Sequence, residues 1–156
     1  MLEHRILLVQ PRTTSDVQPI VDGDDGAPLG FVRWSPETTG GWWLPFGRCL
    51  LAVHEREDEP LLFTLHRAWS LLPRREVHDA DGQLVGTLLG RVIHDRYSRP
   101  VAAFGEGIFR NAYKRVLGEL HATAEGWRLA FSNDLAGEPF VKMLLLAATL
   151  SFELDV

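Results

Sequence analysis

Cysteine is almost absent: Cys49 is the only one in 156 residues. No intramolecular disulfide is available to staple the fold, and a reducing compartment fits that usage. A basic excess is lacking as well. Sixteen Lys and Arg stand against 21 Asp and Glu, a net charge of −5. A general nucleic-acid binder carries the opposite balance, so no nucleic-acid partner is expected. The apolar run at 6–9 is too short for a secretory h-region and ends at Gln10-Pro11-Arg12, so a cytoplasmic location is expected. Linkers and low-complexity tracts are missing too, which predicts one domain over 1–156. Apolar residues at 46% and charged residues at 24% are ordinary for a folded chain and supply a real core.

The chemical motifs are just as sparse. There is no Gly-x-Ser-x-Gly elbow for a nucleophile. Cys49 lies in an apolar run, where a thiol is usually inert packing. Gly105-Glu106-Gly107 puts a carboxylate where a phosphate would have to approach. Six dispersed histidines (His4, His54, His66, His78, His94, His121) form no His-x-His or His-x-x-x-His pair. A metal would need the equally spaced His54, His66 and His78 to converge from separate strands. Asp79 and Asp81 resemble the start of a calcium loop, but an EF-hand needs a Glu at its twelfth position and Gly90 stands there; Asp-Gly reads more simply as a hairpin turn. No cofactor and no catalytic residue are expected, and a metal-dependent enzyme is the third-ranked reading.

What the chain does have is a pattern of short strands. Strand-length runs at 5–10, 29–34, 49–54, 61–66, 75–79, 84–89, 116–121 and 127–131 are separated by turn residues, including Ala80-Asp81-Gly82 and Ala124-Glu125-Gly126. That rhythm predicts an antiparallel barrel or sandwich, not βαβ units. Between 106 and 117 the apolar residues Ile108, Phe109, Ala112, Tyr113, Val116 and Leu117 recur at helical spacing, which predicts a helical turn near 106–112 passing into a strand.

The most unusual run is the last. The thirteen residues 140–152 are almost purely apolar and have no polar face. At about 1.5 Å per residue they reach only about 20 Å, short of a bilayer core of roughly 30 Å. A segment too apolar for the surface and too short to span belongs inside the protein, so no transmembrane segment is expected.

Two pieces of the chain resemble the phospholipid scramblase-like, LURP-one-related and tubby C-terminal-like superfamily. One is the hairpin His78-Asp-Ala-Asp-Gly-Gln-Leu-Val-Gly86. The other is the ending: Trp127 to Phe131, the bend at Asn133-Asp134, Val141-Lys-Met-Leu-Leu-Leu-Ala-Ala, and Ser151-Phe-Glu-Leu-Asp155. The resemblance is clearest over 60–156. It implies a mainly β fold: a closed antiparallel β-barrel wrapped around one buried hydrophobic C-terminal α-helix, here at about 139–150. Eukaryotic scramblase-like members are associated with calcium through an acidic segment before that helix. The matching stretch here offers only Asp134 and Glu138, few for an ion that prefers six to eight oxygens. The cysteine cluster used for lipid attachment in some members is missing.

Two further features bear on a ligand. Trp42 and Trp43 sit in a Gly-rich loop and suit a membrane interface, a cavity mouth or plain packing. From 91 to 115, Arg91, Arg96, Arg99, Arg110, Lys114 and Arg115 face only Asp95 and Glu106, a local balance of +4. Gathered in space, such residues attract anionic headgroups, and Arg grips phosphate through two parallel hydrogen bonds; dispersed, they form a solvated face. The leading expectation is a non-enzymatic scramblase-like barrel that binds an anionic membrane surface or another amphiphile peripherally. Trp42, Trp43, Arg91, Arg96, Arg99, Arg110 and Arg115 are its candidate binding residues. The alternative is a protein-interaction or structural module without a lipid ligand.

Overall fold

A computed structural model describes residues 1–13, 15–35, 48–55, 61–68 and 72–154. Among them are twelve strands: β1 (Ile6–Val9), β2 (Val17–Asp22), β3 (Pro28–Trp34), β4 (Cys49–His54), β5 (Leu61–Arg67), β6 (Arg74–Asp79), β7 (Leu84–Leu89), β8 (Val92–Asp95), β9 (Pro100–Gly105), β10 (Ile108–Arg110), β11 (Val116–Thr123) and β12 (Gly126–Phe131). A short 3₁₀ turn, η1 (Asn133–Leu135), leads to the helix α1 (Pro139–Phe152). Each strand pairs antiparallel with its sequence neighbour, and β1 pairs with β12 through Ile6–Ala130 to Val9–Trp127, so the sheet closes into an up-and-down barrel.

Alternation builds the interior. Leu7 and Val9, Val32 and Trp34, Leu51 and Val53, Phe63 and Leu65, and Leu129 and Phe131 all point inward and are buried. Ten consecutive helix residues, Lys142 to Ser151, are buried. That run covers nearly three turns, so no face of the helix meets solvent. The helix packs against the adjacent strands β7 and β8 and, well away from them around the ring, against β12, and shares one core with the inward residues of the wall. It therefore occupies the barrel's interior. Eight strands enclose little more than their own side chains, whereas twelve leave room for a helix about 10 Å across.

Close approach has a local cause. A Cβ placed on Gly86 of β7 would stand 2.8 Å from Leu144 Cδ2, and one on Gly118 of β11 would stand 3.4 Å from Leu145 Cδ1. Glycine at these positions lets the wall touch the helix.

Strand direction fixes two rims. At the entry rim, where α1 begins, lie the N-terminal residues, the turns after β2, β6, β8 and β10, and η1. At the exit rim lie residues 10–16, Ser35, Arg48, residues 72–73, the turns after β7, β9 and β11, and the helix C-cap Glu153. Three successive entry-rim hairpins share one device at a spacing of sixteen. Asp79, Asp95 and Asn111 each accept hydrogen bonds from the backbone N–H groups two and four residues on. Gly82, Ser98 and Lys114, three residues on, take the left-handed conformation at φ 76, 62 and 63. The Asp79–Gly82 segment is thus a turn whose carboxylate caps its own backbone.

Two sequence expectations change. No helical turn forms over 106–112: Glu106 (φ 52) and Gly107 (φ 77) make a tight turn, and residues 108–110 are strand β10. The helical spacing was no common face, since Phe109 is fully buried and Tyr113 is 87% exposed. Strands β2, β8 and β9 also went unpredicted. Pro19 inside β2 and Pro100 at the start of β9 break the usual strand signal. Pro19 stands one residue beyond the end of the β1–β2 ladder, where its ring is accommodated.

Candidate anion-binding site

The run 91–115 does not form a single patch. Arg91 stands at the exit rim, in the turn after β7, whereas Arg96 and Arg99 follow β8, and Arg110 and Arg115 flank the turn after β10, all at the entry rim. Arg99 is already engaged: its Nε and Nη2 lie 2.7 Å from Asp95 Oδ2. Burial opposes ionisation of Asp95, yet hydrogen bonds from Arg99 and Tyr97 hold it below the usual carboxylate value. Arg96 and Arg99 also lie against the Tyr97 ring at 4.8 and 5.1 Å. They line an entry-rim cavity of about 410 Å³ together with Asp79, Asp95, Glu138 and Phe140, over a floor that includes Val85 and Leu144. Three carboxylates there offset two guanidiniums.

Asp134 lines a different hollow, beside Arg5 and Glu119, so Asp134 and Glu138 do not share a cavity. Trp42 and Trp43 lie outside the described residues. Of the three evenly spaced histidines, His66 and His78 meet edge to face at 4.9 Å, from facing strands β5 and β6. His54 instead stacks on Phe31 at 5.0 Å. Among the described residues no group of three His, Cys, Asp or Glu side chains is placed to hold a metal. The Cys49 thiol donates to the Leu51 carbonyl at 3.4 Å.

The structure assembles a different set of arginines at the exit rim. Arg12, Arg48, Arg67, Arg74 and Arg75 line a cavity of about 400 Å³, with Trp34 and Leu154 among its apolar walls. Among the described residues no Asp or Glu lines it. Strand register creates the cluster. Arg67 of β5 stands directly opposite Arg75 of β6, and the Arg67 N–H donates to the Arg48 carbonyl at 2.9 Å. Three guanidinium-bearing residues therefore stand side by side: Arg48 just before β4, Arg67 of β5 and Arg75 of β6. Arg67 and Arg75 continue the inward rows of Leu65 and Val77 to the point where the barrel opens. Like charges directly across a strand pair repel one another.

The remaining contacts preorganise the wall. Arg12 stacks over Trp34 at 4.6 Å. Arg74 reaches Glu76 only at 3.8 Å, and its Nε–H is buried with no hydrogen-bond partner among the described residues. A desolvated guanidinium N–H without an acceptor is costly unless something supplies one. Beneath the cavity runs a hydrogen-bond chain. Trp34 Nε1–H donates to Gln18 Oε1 at 2.9 Å; Gln18 Nε2–H donates to the Gln10 carbonyl at 2.6 Å and to the Glu153 carboxylate at 3.0 Å. Burial raises the Glu153 carboxyl above its ordinary value, against the Gln18 hydrogen bond and the charge of Arg12.

None of the five arginines belongs to the run at 91–115. The adjacent Arg74-Arg75 pair is visible in the chain, but its neighbours Arg12, Arg48 and Arg67 come from remote segments, and only register brings them together. Compared with protein families, curated proteins and solved structures, the chain matches none.

Proposed function

We propose that this chain is a non-enzymatic binding barrel whose exit rim takes an anionic amphiphile, with peripheral attachment to an anionic lipid surface in the cytoplasm as its setting. The observation that carries the reading is the exit-rim cavity: five arginines, an aromatic wall and no lining carboxylate among the described residues. Arginine suits phosphate and sulfate headgroups because its planar fork donates two parallel hydrogen bonds. Near a charged membrane a basic residue contributes about 1 kcal/mol, and such binding is reversible and salt-sensitive. The barrel closed around its C-terminal helix is also the architecture that the scramblase-like resemblance implied, which supports the reading without naming a ligand. No described helix is long and apolar enough to cross a membrane.

Co-sedimentation with vesicles tests it. The protein should pellet with phosphatidylglycerol vesicles and not with phosphatidylcholine vesicles, and Arg67→Glu/Arg75→Glu should abolish the difference. Equal pelleting with both lipids, or an unchanged double variant, would overturn the reading. A partner-protein role has one observation in its favour: Tyr97 and Phe140, 62% and 57% exposed, flank the entry-rim cavity. Light scattering over a concentration series, alone and with a candidate partner, separates that role from lipid binding.

A further inference from the structure

Glu153 is placed to sense whatever occupies the arginine cavity. It caps the C-terminal end of α1, where the helix carbonyls already disfavour a negative charge. Its backbone N–H donates to the Leu150 carbonyl at 3.3 Å, and both of its carboxylate oxygens accept from Gln18 Nε2. Gln18 is fully buried and is hydrogen-bonded to Trp34, which lines the cavity; the next residue after the cap, Leu154, lines it too. The charged group that acts on the carboxylate is Arg12, from the β1–β2 connection, and Arg12 is itself a wall of the cavity. From β2 the carboxylate meets the uncharged Gln18, which in turn accepts from Trp34 of β3. The other cavity arginines, Arg48, Arg67, Arg74 and Arg75, belong to β4, β5 and β6 or the residue just before them. Glu153 thus lies just behind the cavity wall, joined to it through Gln18 and Trp34, where the charge of Arg12 acts on it.

We infer that the cavity takes its anion together with a proton, and that Glu153 is the group that receives the proton. This rests on the anion-binding reading of the exit rim. An incoming anion offsets the charge of Arg12, which together with the Gln18 hydrogen bond favours the ionised form of Glu153. A second negative charge then lies beside a half-buried carboxylate with only Gln18 to stabilise it. The carboxylate responds by protonating, and the neutral carboxyl remains compatible with the Gln18 hydrogen bond because one oxygen still accepts. By linkage, each unit by which the anion raises that carboxyl corresponds to about tenfold in affinity between the two protonation states. Direction follows directly: affinity is highest when Glu153 is protonated and falls as pH rises. No histidine among the described residues lines the cavity, so histidine titration does not produce the same signature at this site.

Isothermal titration of the full chain with inorganic sulfate, which does not titrate in this range, tests the coupling. Measured between about pH 5 and pH 8, above the ordinary carboxyl value of 4.5, sulfate affinity should fall about tenfold. Two buffers of different ionisation heat at one intermediate pH should reveal net proton uptake of a fraction of one proton per sulfate. Glu153→Gln keeps the size and the hydrogen bond; it should hold sulfate with the high affinity at every pH and show no proton uptake. Sulfate binding by the parent with no pH dependence and no uptake would overturn the inference and leave the anion site standing. The same slope in Glu153→Gln would also overturn it. Absence of sulfate binding at any pH would overturn both readings. The proton count is taken on the parent chain, so the test holds even if the variant folds poorly.

Discussion

Replacing Leu145 with alanine tests the architecture at its centre. Leu145 is fully buried midway along the helix, within its enclosed run Lys142 to Ser151, and one of its methyls stands 3.4 Å from where a Cβ on Gly118 of the wall would lie. Leu-to-Ala changes in cores cost about 2–5 kcal/mol, more where the surroundings cannot collapse into the cavity. Here collapse is blocked, because the helix is held on all sides by a hydrogen-bonded ring that cannot shrink without breaking its ladder. The upper half of the range, about 3–5 kcal/mol, is therefore expected. At roughly 2–4 °C per kcal/mol for a chain of this length, Tm should fall by about 6–20 °C. Phe140→Ala, on the same helix but 57% exposed, removes less than half a buried ring and should cost about 1 kcal/mol. Leu145→Asp, which buries an unpaired carboxylate, should cost several kcal/mol more, comparable with the whole stability of a domain. Thermal melts by circular dichroism give the comparison. If Leu145→Ala and Phe140→Ala melted within about 2 °C of each other, or if Leu145→Asp melted like the parent, the helix would not be the enclosed core of this barrel.

Four other outcomes follow from the structure. Gly86→Val should destabilise by at least about 1–3 kcal/mol in urea titration, because its Cβ would press on Leu144 and on the His94 carbonyl. Lys114→Gly should raise Tm slightly, by relieving about 1 kcal/mol of left-handed strain at φ 63, partly offset by the flexibility glycine adds to the unfolded chain; a fall in Tm would refute the strain argument. Gln18→Leu leaves the Trp34 indole N–H and the Glu153 carboxylate without their partner, and should cost about 2–4 kcal/mol. Burial holds the Lys142 ammonium below its ordinary value of 10.5, while its Nζ donates to the Leu2 carbonyl at 2.8 Å. The native state therefore binds fewer protons than the unfolded chain just below pH 10.5, and stability should rise with pH across that window. Denaturation of Lys142→Met at about pH 8 and pH 10 should show that slope removed.

The architecture and the site were not equally visible in the chain. Residues 140–152 announce their own burial, because an all-round apolar segment of that length has nowhere else to go. The hairpin turns at 80–82 and 124–126 are equally plain, since Asp and Gly set them locally. Strand β2 was hidden by Pro19, and β10 by an accidental helical spacing that the turn at Glu106-Gly107 overrules. For the site the difference is sharper. A charge count along 91–115 finds residues that are near in sequence, and an antiparallel meander then sends Arg91 to one rim and Arg96, Arg99, Arg110 and Arg115 to the other.

From sequence alone came whatever depends on local chemistry: the period-2 strands, the turn residues and the helix too apolar to be outside. Tertiary structure alone decided which arginines meet, because the pairing of Arg67 with Arg75, the position of Arg48 beside them and the approach of Arg12 over Trp34 are consequences of strand register and closure. Electrostatic sites depend on distances in space across the barrel mouth, and a linear chain does not carry those distances until the ladder between β12 and β1 closes.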